Sequence, residues 1–292
     1  MSKKISLIHL APLVATCLFT YVCTYILKFS EISEIIEMPF MREKTYYATF
    51  YNTILLLSLI VLGSLMLYFL IKLKKIKVLE AIIKVLVMLA IYSVVTIYTA
   101  STCVLFGLEY MDLLVFNGIT LAFTVIFSYS VLFSKKNSVT VFSTLLLGTS
   151  IGALFGVTLP SWTVLAAAIA VALWDIYAVF KGPLRALIDE IKSSEKVPEK
   201  PYEFNFLRGI ALSFKGLLIG LGDIVFYSML MALSLSSPNF SIIRYILVSS
   251  SIVAGAYITL KALEKGRRAL PGLPLPMLLG TLVYVTLSWI NI

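Results

Sequence analysis

The chain has 292 residues, 60% of them apolar and 13% charged, whereas a soluble domain holds about 45 to 50% apolar and 25% charged residues. This excludes a water-soluble globular protein and predicts an all-α, polytopic, integral membrane protein, because a helix satisfies its own backbone polar groups in lipid. The net charge of +9 reads as a topology signal, because the lysines and arginines fall between apolar stretches, and no nucleic-acid partner is expected.

Nine stretches are close to the ~20 apolar residues that cross ~30 Å of hydrocarbon as a helix. They run approximately over 5–27, 48–71, 81–106, 112–133, 139–158, 160–180, 209–235, 241–262 and 271–290. If the N-terminus and the loops after spans 2, 4, 6 and 8 share one side, that side gathers Lys3, Lys4, Lys72, Lys74, Lys75, Lys77, Lys135, Lys136 and most other basic residues. The opposite side holds only Lys28, Arg42, Lys44 and Arg244. Lys and Arg are retained in the cytoplasm, so the N-terminus is expected inside and the C-terminus, after nine spans, outside.

Span 1 begins like a secretory signal but is too long and lacks a small-residue cleavage pattern, so it is expected to be retained. The outer segment Phe29 to Tyr47 sets Ile32, Ile35 and Ile36 against Glu31, Glu34 and Glu37, an amphipathic pattern. Span 5 carries Gly148, Gly152 and Gly156, a double GxxxG that permits close backbone approach. Span 6 follows with Ala166, Ala167, Ala168, Ala170 and Ala172, and span 7 repeats the small-residue spacing with Gly216 and Gly220. Spans 5 to 7 are therefore expected to form a close-packed centre. The longest cytoplasmic break, residues 181–208, separates a six-span part (1–180) from a three-span part (209–292). Within it Leu184 to Ile191 suggests a surface helix and Val197 to Phe206 an extended stretch. Cys17, Cys23, Cys103 and His9 are too scattered for a metal site, and no metal or cofactor is expected.

Asp175 in span 6 and Asp223 in span 7 are the only acidic residues well inside the apolar spans. A carboxylate at the bilayer centre costs ~2.5 to 3.5 kcal/mol even on the lenient scale, so each needs a partner, and each is the natural partner of the other. Counted at 1.5 Å per helical residue, Asp175 lies ~9 Å from Lys181 and Asp223 ~12 Å from Lys215, which puts them at similar depth. Two carboxyls in one site share a proton and so supply an acid and a base together. One can activate water against a peptide carbonyl while the other hydrogen-bonds the carbonyl oxygen and later protonates the leaving nitrogen. Neither GxGxxG nor HExxH occurs. The same carboxylates would equally suit a cation channel or a proton-coupled transporter, and a catalytically silent scaffold is a third reading.

Residues 220–223, Gly-Leu-Gly-Asp, resemble the GxGD motif of the presenilin and signal peptide peptidase family of intramembrane aspartyl proteases. The continuation Ile224, Val225, Phe226, Tyr227, Ser228 resembles the presenilin branch. In that family a tyrosine precedes the first aspartate; here Trp174 precedes Asp175 and Tyr177 follows two residues later. Residues 181–185, Lys-Gly-Pro-Leu-Arg, are again presenilin-like, and the family's PAL motif has its counterpart in Pro271, Gly272 and Leu273, with glycine in place of alanine. Prolines at 271, 274 and 276 hold the start of span 9 extended.

The resemblance implies an aspartic endopeptidase that cleaves transmembrane helices near their cytoplasmic ends, with Asp175 and Asp223 as the catalytic pair. Trp174, Tyr177, Gly220, Leu221, Gly222, Pro271, Gly272 and Leu273 would shape the site or hold substrate. It implies transmembrane helical substrates within a lipid bilayer and a prokaryotic-type homologue in the plasma membrane, and the inferred membrane orientation predicts a preference for substrates whose N-termini lie outside. The short 181–208 loop leads us to expect one uncut chain, and nothing in the sequence requires accessory subunits. An unwound substrate needs a backbone edge to pair with, from the Pro271 segment or from Val197 to Phe206.

Overall fold

In the computed structural model the described residues are 7–108, 112–182, 208–264 and 270–290. The proposed surface helix at Leu184 to Ile191 and the extended stretch at Val197 to Phe206 lie outside them. The helices are α1 (Ala11–Phe29), the single turn α2 (Ile32–Ile35), α3 (Tyr46–Lys72), α4 (Ile76–Leu105), α5 (Leu113–Ser128) and α6 (Asn137–Thr158). After them come α7 (Ser161–Phe180), α8 (Leu221–Ser236), α9 (Ile242–Glu264) and α10 (Pro274–Trp289). A hairpin of β1 (Ala211–Phe214) and β2 (Leu217–Gly220) precedes α8.

Seven helical segments among the described residues are long and apolar enough to span a bilayer, while α8 and α10 are apolar but shorter. The chain is therefore a polytopic helical membrane protein. The amphipathic outer segment contributes only one helical turn, because Glu31 takes a left-handed conformation at φ 57° and Ile36 is already extended.

At the centre α1, α6 and α8 run parallel. Ring and thiol contacts climb together between α1 and α6: Phe19 meets Phe142 at 5.3 Å between ring centroids, and Cys23 Sγ lies 3.5 Å from Ser150 Oγ. The glycine stripe of α6 faces α8. A methyl group on Gly148 would come within 2.9 Å of Ile224 Cγ2, one on Gly152 would collide with the Val225 carbonyl oxygen and sit 2.6 Å from Ser228 Cβ, and one on Gly156 would collide with the Met229 carbonyl oxygen. These glycines remove bulk so that dispersion contacts, which must drive helix association in lipid, can form along the whole seam.

The alanine-rich α7 buries Ala167, Ala168, Val171 and Ala172 in a core shared with Phe226, Tyr227 and Leu230 of α8, Leu56 of α3 and Met277 of α10. On the far side α9 meets α10 through Gly255, where an added methyl would lie 2.8 Å from Pro276 Cα, and through Gly280 against Ile252. The α8–α9 connection is pinned by Arg244, which is 1% exposed. Its Nε donates to the Ser234 carbonyl at 2.7 Å and its Nη1 to Asn239 Oδ1 at 3.2 Å, while Nη2 donates to the Asn239 carbonyl.

One predicted span is corrected. Residues 209–220 do not continue a helix; they form the antiparallel hairpin, with Ala211 opposite Gly220 and Phe214 opposite Leu217. The turn is Lys215-Gly216, with φ 48° and 80°, the two positive values that a tight two-residue hairpin needs and that glycine adopts without strain. Gly216 and Gly220 are therefore hairpin residues and not a helix-packing pair. Leu212, 1% exposed, packs with Val141, Leu145 and Ile224. Arg208 Nη1 donates to the carbonyls of Leu132 and Ser134 at 3.4 and 3.3 Å, and Asn137 Nδ2 donates to the Ser213 carbonyl at 3.2 Å.

Candidate active site

The hairpin fills the level that the first turns of a full-length helix would occupy, so α8 starts deep. Ile224 is level with Gly148, near the middle of α6. Asp223 thus sits in the first turn of a helix that begins partway across the membrane. Irregular backbone at such depth is tolerated where it is buried in protein or lines a wet cavity. Asp175 comes to the same place from the last turns of α7. Both aspartates are only partly buried.

What joins them is the segment Pro271, Gly272, Leu273 just ahead of α10. The Leu273 amide donates to Asp175 Oδ2 at 3.0 Å. Leu273 is the N-cap residue of α10 and has no side-chain cap, so the Asp175 carboxyl accepts an amide at a helix terminus from another helix. On Gly272 a methyl group would lie 3.0 Å from Asp223 Oδ2 and 3.4 Å from its Cγ. The two carboxyls, one from α7 and one from α8, therefore converge on the same two-residue stretch of backbone. The Leu273 side chain, 5% exposed, anchors that stretch in the core with Phe226 and Met277.

The glycines of the Gly-Leu-Gly-Asp run separate by role. A methyl on Gly222 would meet nothing within 4 Å, and one on Gly220 would only touch the Asp223 carboxyl at 3.6 Å. The fold does not require glycine at 222, and the space beside Asp223 is open there. Leu221 turns away from that space: its amide donates to the Ile210 carbonyl at 2.8 Å, its side chain lies against Gly148, and it packs with the α4–α6 core. The rings of Trp174 and Tyr177 meet at a tilt of 41° with centroids 5.4 Å apart, and Tyr177 is half exposed.

The tyrosine that reaches the site is Tyr227, 3% exposed, whose hydroxyl donates to the Gly272 carbonyl at 2.8 Å. In the sequence Tyr227 stands out only as part of the run 224–228 that resembles presenilins. Its distinguishing signal is its position four residues after Asp223, on the same face of α8.

These pieces have similar counterparts in known proteins. Residues 194–291 match the family model described as Presenilin, a stretch that takes in Asp223 and Pro271 to Leu273 but not Asp175. Presenilin-B of Dictyostelium discoideum is 33% identical over 132 residues, 43% of this chain and 26% of that protein. A presenilin-like protein of Arabidopsis thaliana is 36% identical over 80 residues, 27% of this chain and 19% of that protein. These matches span about a quarter or less of the curated relatives' length. A solved structure described as a presenilin family intramembrane aspartate protease superposes with a TM-score of 0.60 at 16% identity, covering 96% of this chain and 99% of that one. The C-terminal third of the chain is thus similar in sequence to presenilins, and the chain shares the fold of that solved structure along almost its whole length.

Proposed function

We propose that this protein is an intramembrane aspartyl endopeptidase that hydrolyses peptide bonds of transmembrane helices, with Asp175 and Asp223 as its acid/base pair. The observation that carries the reading is the convergence of the two carboxyls on Gly272 and Leu273: Asp175 accepts the Leu273 amide and Asp223 lies against Gly272. One proton held between the carboxyls lets the ionised member deprotonate water as it attacks the scissile carbonyl. The protonated member hydrogen-bonds the carbonyl oxygen and then helps transfer a proton to the departing nitrogen. The open space at Gly222 admits the substrate backbone.

Gly220 and Pro271 border that space. Trp174 and Tyr177 flank Asp175 along α7, where their tilted, contacting rings form the side a substrate helix would pass. A helix hides its own peptide bonds, so the substrate must unwind before cleavage. The β1–β2 hairpin, ending one turn before Asp223, offers strand edges to which the unwound segment can add. The reading retains a cytoplasmic N-terminus, an outer C-terminus, the 181–208 loop as the divide between the two aspartate-bearing parts, and a prokaryotic plasma membrane as the setting.

The test is cleavage of a labelled transmembrane peptide by the full-length protein reconstituted in lipid. Asp175→Ala and Asp223→Ala should each lower turnover by about 10²- to 10⁴-fold, the usual contribution of general acid–base groups. A hydroxyl-bearing peptide isostere of the tetrahedral intermediate should inhibit. Cation flux without cleavage, abolished by the same two substitutions, would overturn the reading.

A further inference from the structure

Tyr227, Gly272, Leu273 and Asp175 are connected through one peptide group. The Tyr227 hydroxyl donates to the Gly272 carbonyl oxygen at 2.8 Å, and the amide on the other side of that same peptide bond, Leu273 N–H, donates to Asp175 Oδ2 at 3.0 Å. In a trans peptide the C=O and N–H point in opposite directions, so the tyrosine holds one side of the group and the aspartate the other. Donation to the carbonyl polarises the peptide and makes its N–H a better donor, so the two bonds strengthen each other.

Tyr227 and Asp223 are four residues apart on α8, and that spacing fixes their relative positions. Asp175 belongs to α7, whose own backbone sets no such relation to Asp223. Beyond the packing of α7 against α8, a hydrogen-bonded route from α8 to the Asp175 carboxyl runs through Tyr227 and the Gly272–Leu273 peptide. Glycine at 272 keeps the path compact, since a methyl there would press on Asp223 Oδ2 at 3.0 Å.

We propose that Tyr227 is the positioning residue of the pair, holding the Asp175 carboxyl in register with Asp223 through the Gly272–Leu273 peptide. This rests on the proteolytic reading of the two aspartates. Tyr227 does not touch the reacting bond; it acts through the backbone of 272–273 and sets the angle and distance at which the two carboxyls meet a scissile carbonyl. Loss of the hydroxyl leaves the ring packed in the core but frees one end of the peptide, so the effect falls on the chemical step rather than on substrate capture.

The experiment uses the full-length chain in lipid, with kcat and KM measured on a labelled transmembrane peptide. In Tyr227→Phe, kcat should fall by between about tenfold and a hundredfold, as small misplacements of reacting groups do, with KM unchanged to within about twofold. A ring-fluorinated tyrosine at 227, which retains the hydroxyl, should restore wild-type kcat. In parallel, hydrogen exchange of the Leu273 amide should be slow in the wild type and the fluorinated variant and fast in Tyr227→Phe. Wild-type kcat in Tyr227→Phe overturns the proposal, as does an amide that exchanges rapidly with the hydroxyl present. The exchange arm also decides the matter if Tyr227→Phe does not fold. A wild-type chain that cleaves nothing overturns the protease reading instead, while amide exchange still reports whether the relay exists.

Discussion

A methyl group at Gly222 would meet open space and one at Gly152 would strike the backbone of the next helix, so these two glycines call for opposite outcomes. Gly222→Leu should fold as well as the wild type, because a helix position gains up to about 1 kcal/mol when glycine is replaced. Cleavage should nevertheless fall by at least about tenfold, because the side chain fills the space a substrate backbone would use. Thermal unfolding and peptide cleavage on the same preparation separate the two effects. At Gly272 the neighbouring Asp223 oxygen can yield by a few tenths of an ångström to a methyl but not to a branched side chain. Gly272→Ala should therefore remain active, and Gly272→Val should lose activity while staying folded. Asp175 and Asp223, which the structure brings to one stretch of backbone, stood out in the sequence because a charge inside an apolar span is costly and needs a reason. Tyr227 did not, since a tyrosine among Phe, Met and Leu looks like any other core aromatic until its hydroxyl is seen on a carbonyl.

Among the elements, the α6–α8 seam carries the packing and the hairpin carries the depth of the site. Gly152→Leu drives a side chain into the Val225 carbonyl and Ser228, overpacking that typically costs about 1 to 3 kcal/mol or more. It should lower the apparent Tm and deplete folded protein in extracts. In the turn, Gly216 at φ 80° tolerates no β-branched residue cheaply, and Gly216→Val should cost about 1 to 2 kcal/mol and reduce cleavage through the displaced start of α8. The stripe Gly148, Gly152, Gly156 was readable from spacing alone. The hairpin was not: residues 210–220 are apolar apart from Ser213 and Lys215, and a short apolar run does not distinguish strand from buried helix. Lys215-Gly216 was the one turn cue, and the spacing of Gly216 and Gly220 imitated a helix-packing motif.

For the molecule as a whole, the alternation of apolar spans with basic loops gave the helical membrane fold, while two details escaped it. Arg244, counted among the few outer basic residues, is enclosed and bonded to backbone carbonyls, so its placement answers to backbone satisfaction as much as to membrane side. Span lengths were overestimated at α8 and α10, where a hairpin and a proline segment take the place of helical turns. The sidedness argument predicts that a cysteine at Lys192 resists impermeant reagents in intact cells and reacts once they are opened. Two carboxyls sharing one proton predict a bell-shaped dependence of kcat on pH, with one limb missing if a single group suffices. The brevity of α10 reaches beyond the protein itself. Its 16 residues measure ~24 Å against ~30 Å of hydrocarbon, and Leu278, Leu282 and Trp289 on it are exposed. A bilayer accommodates so short a helix by thinning beside it, which lowers the headgroups and the water they carry toward Pro271. Turnover should then rise as the acyl chains of the host vesicles shorten, making the surrounding membrane a participant in hydrating the cut.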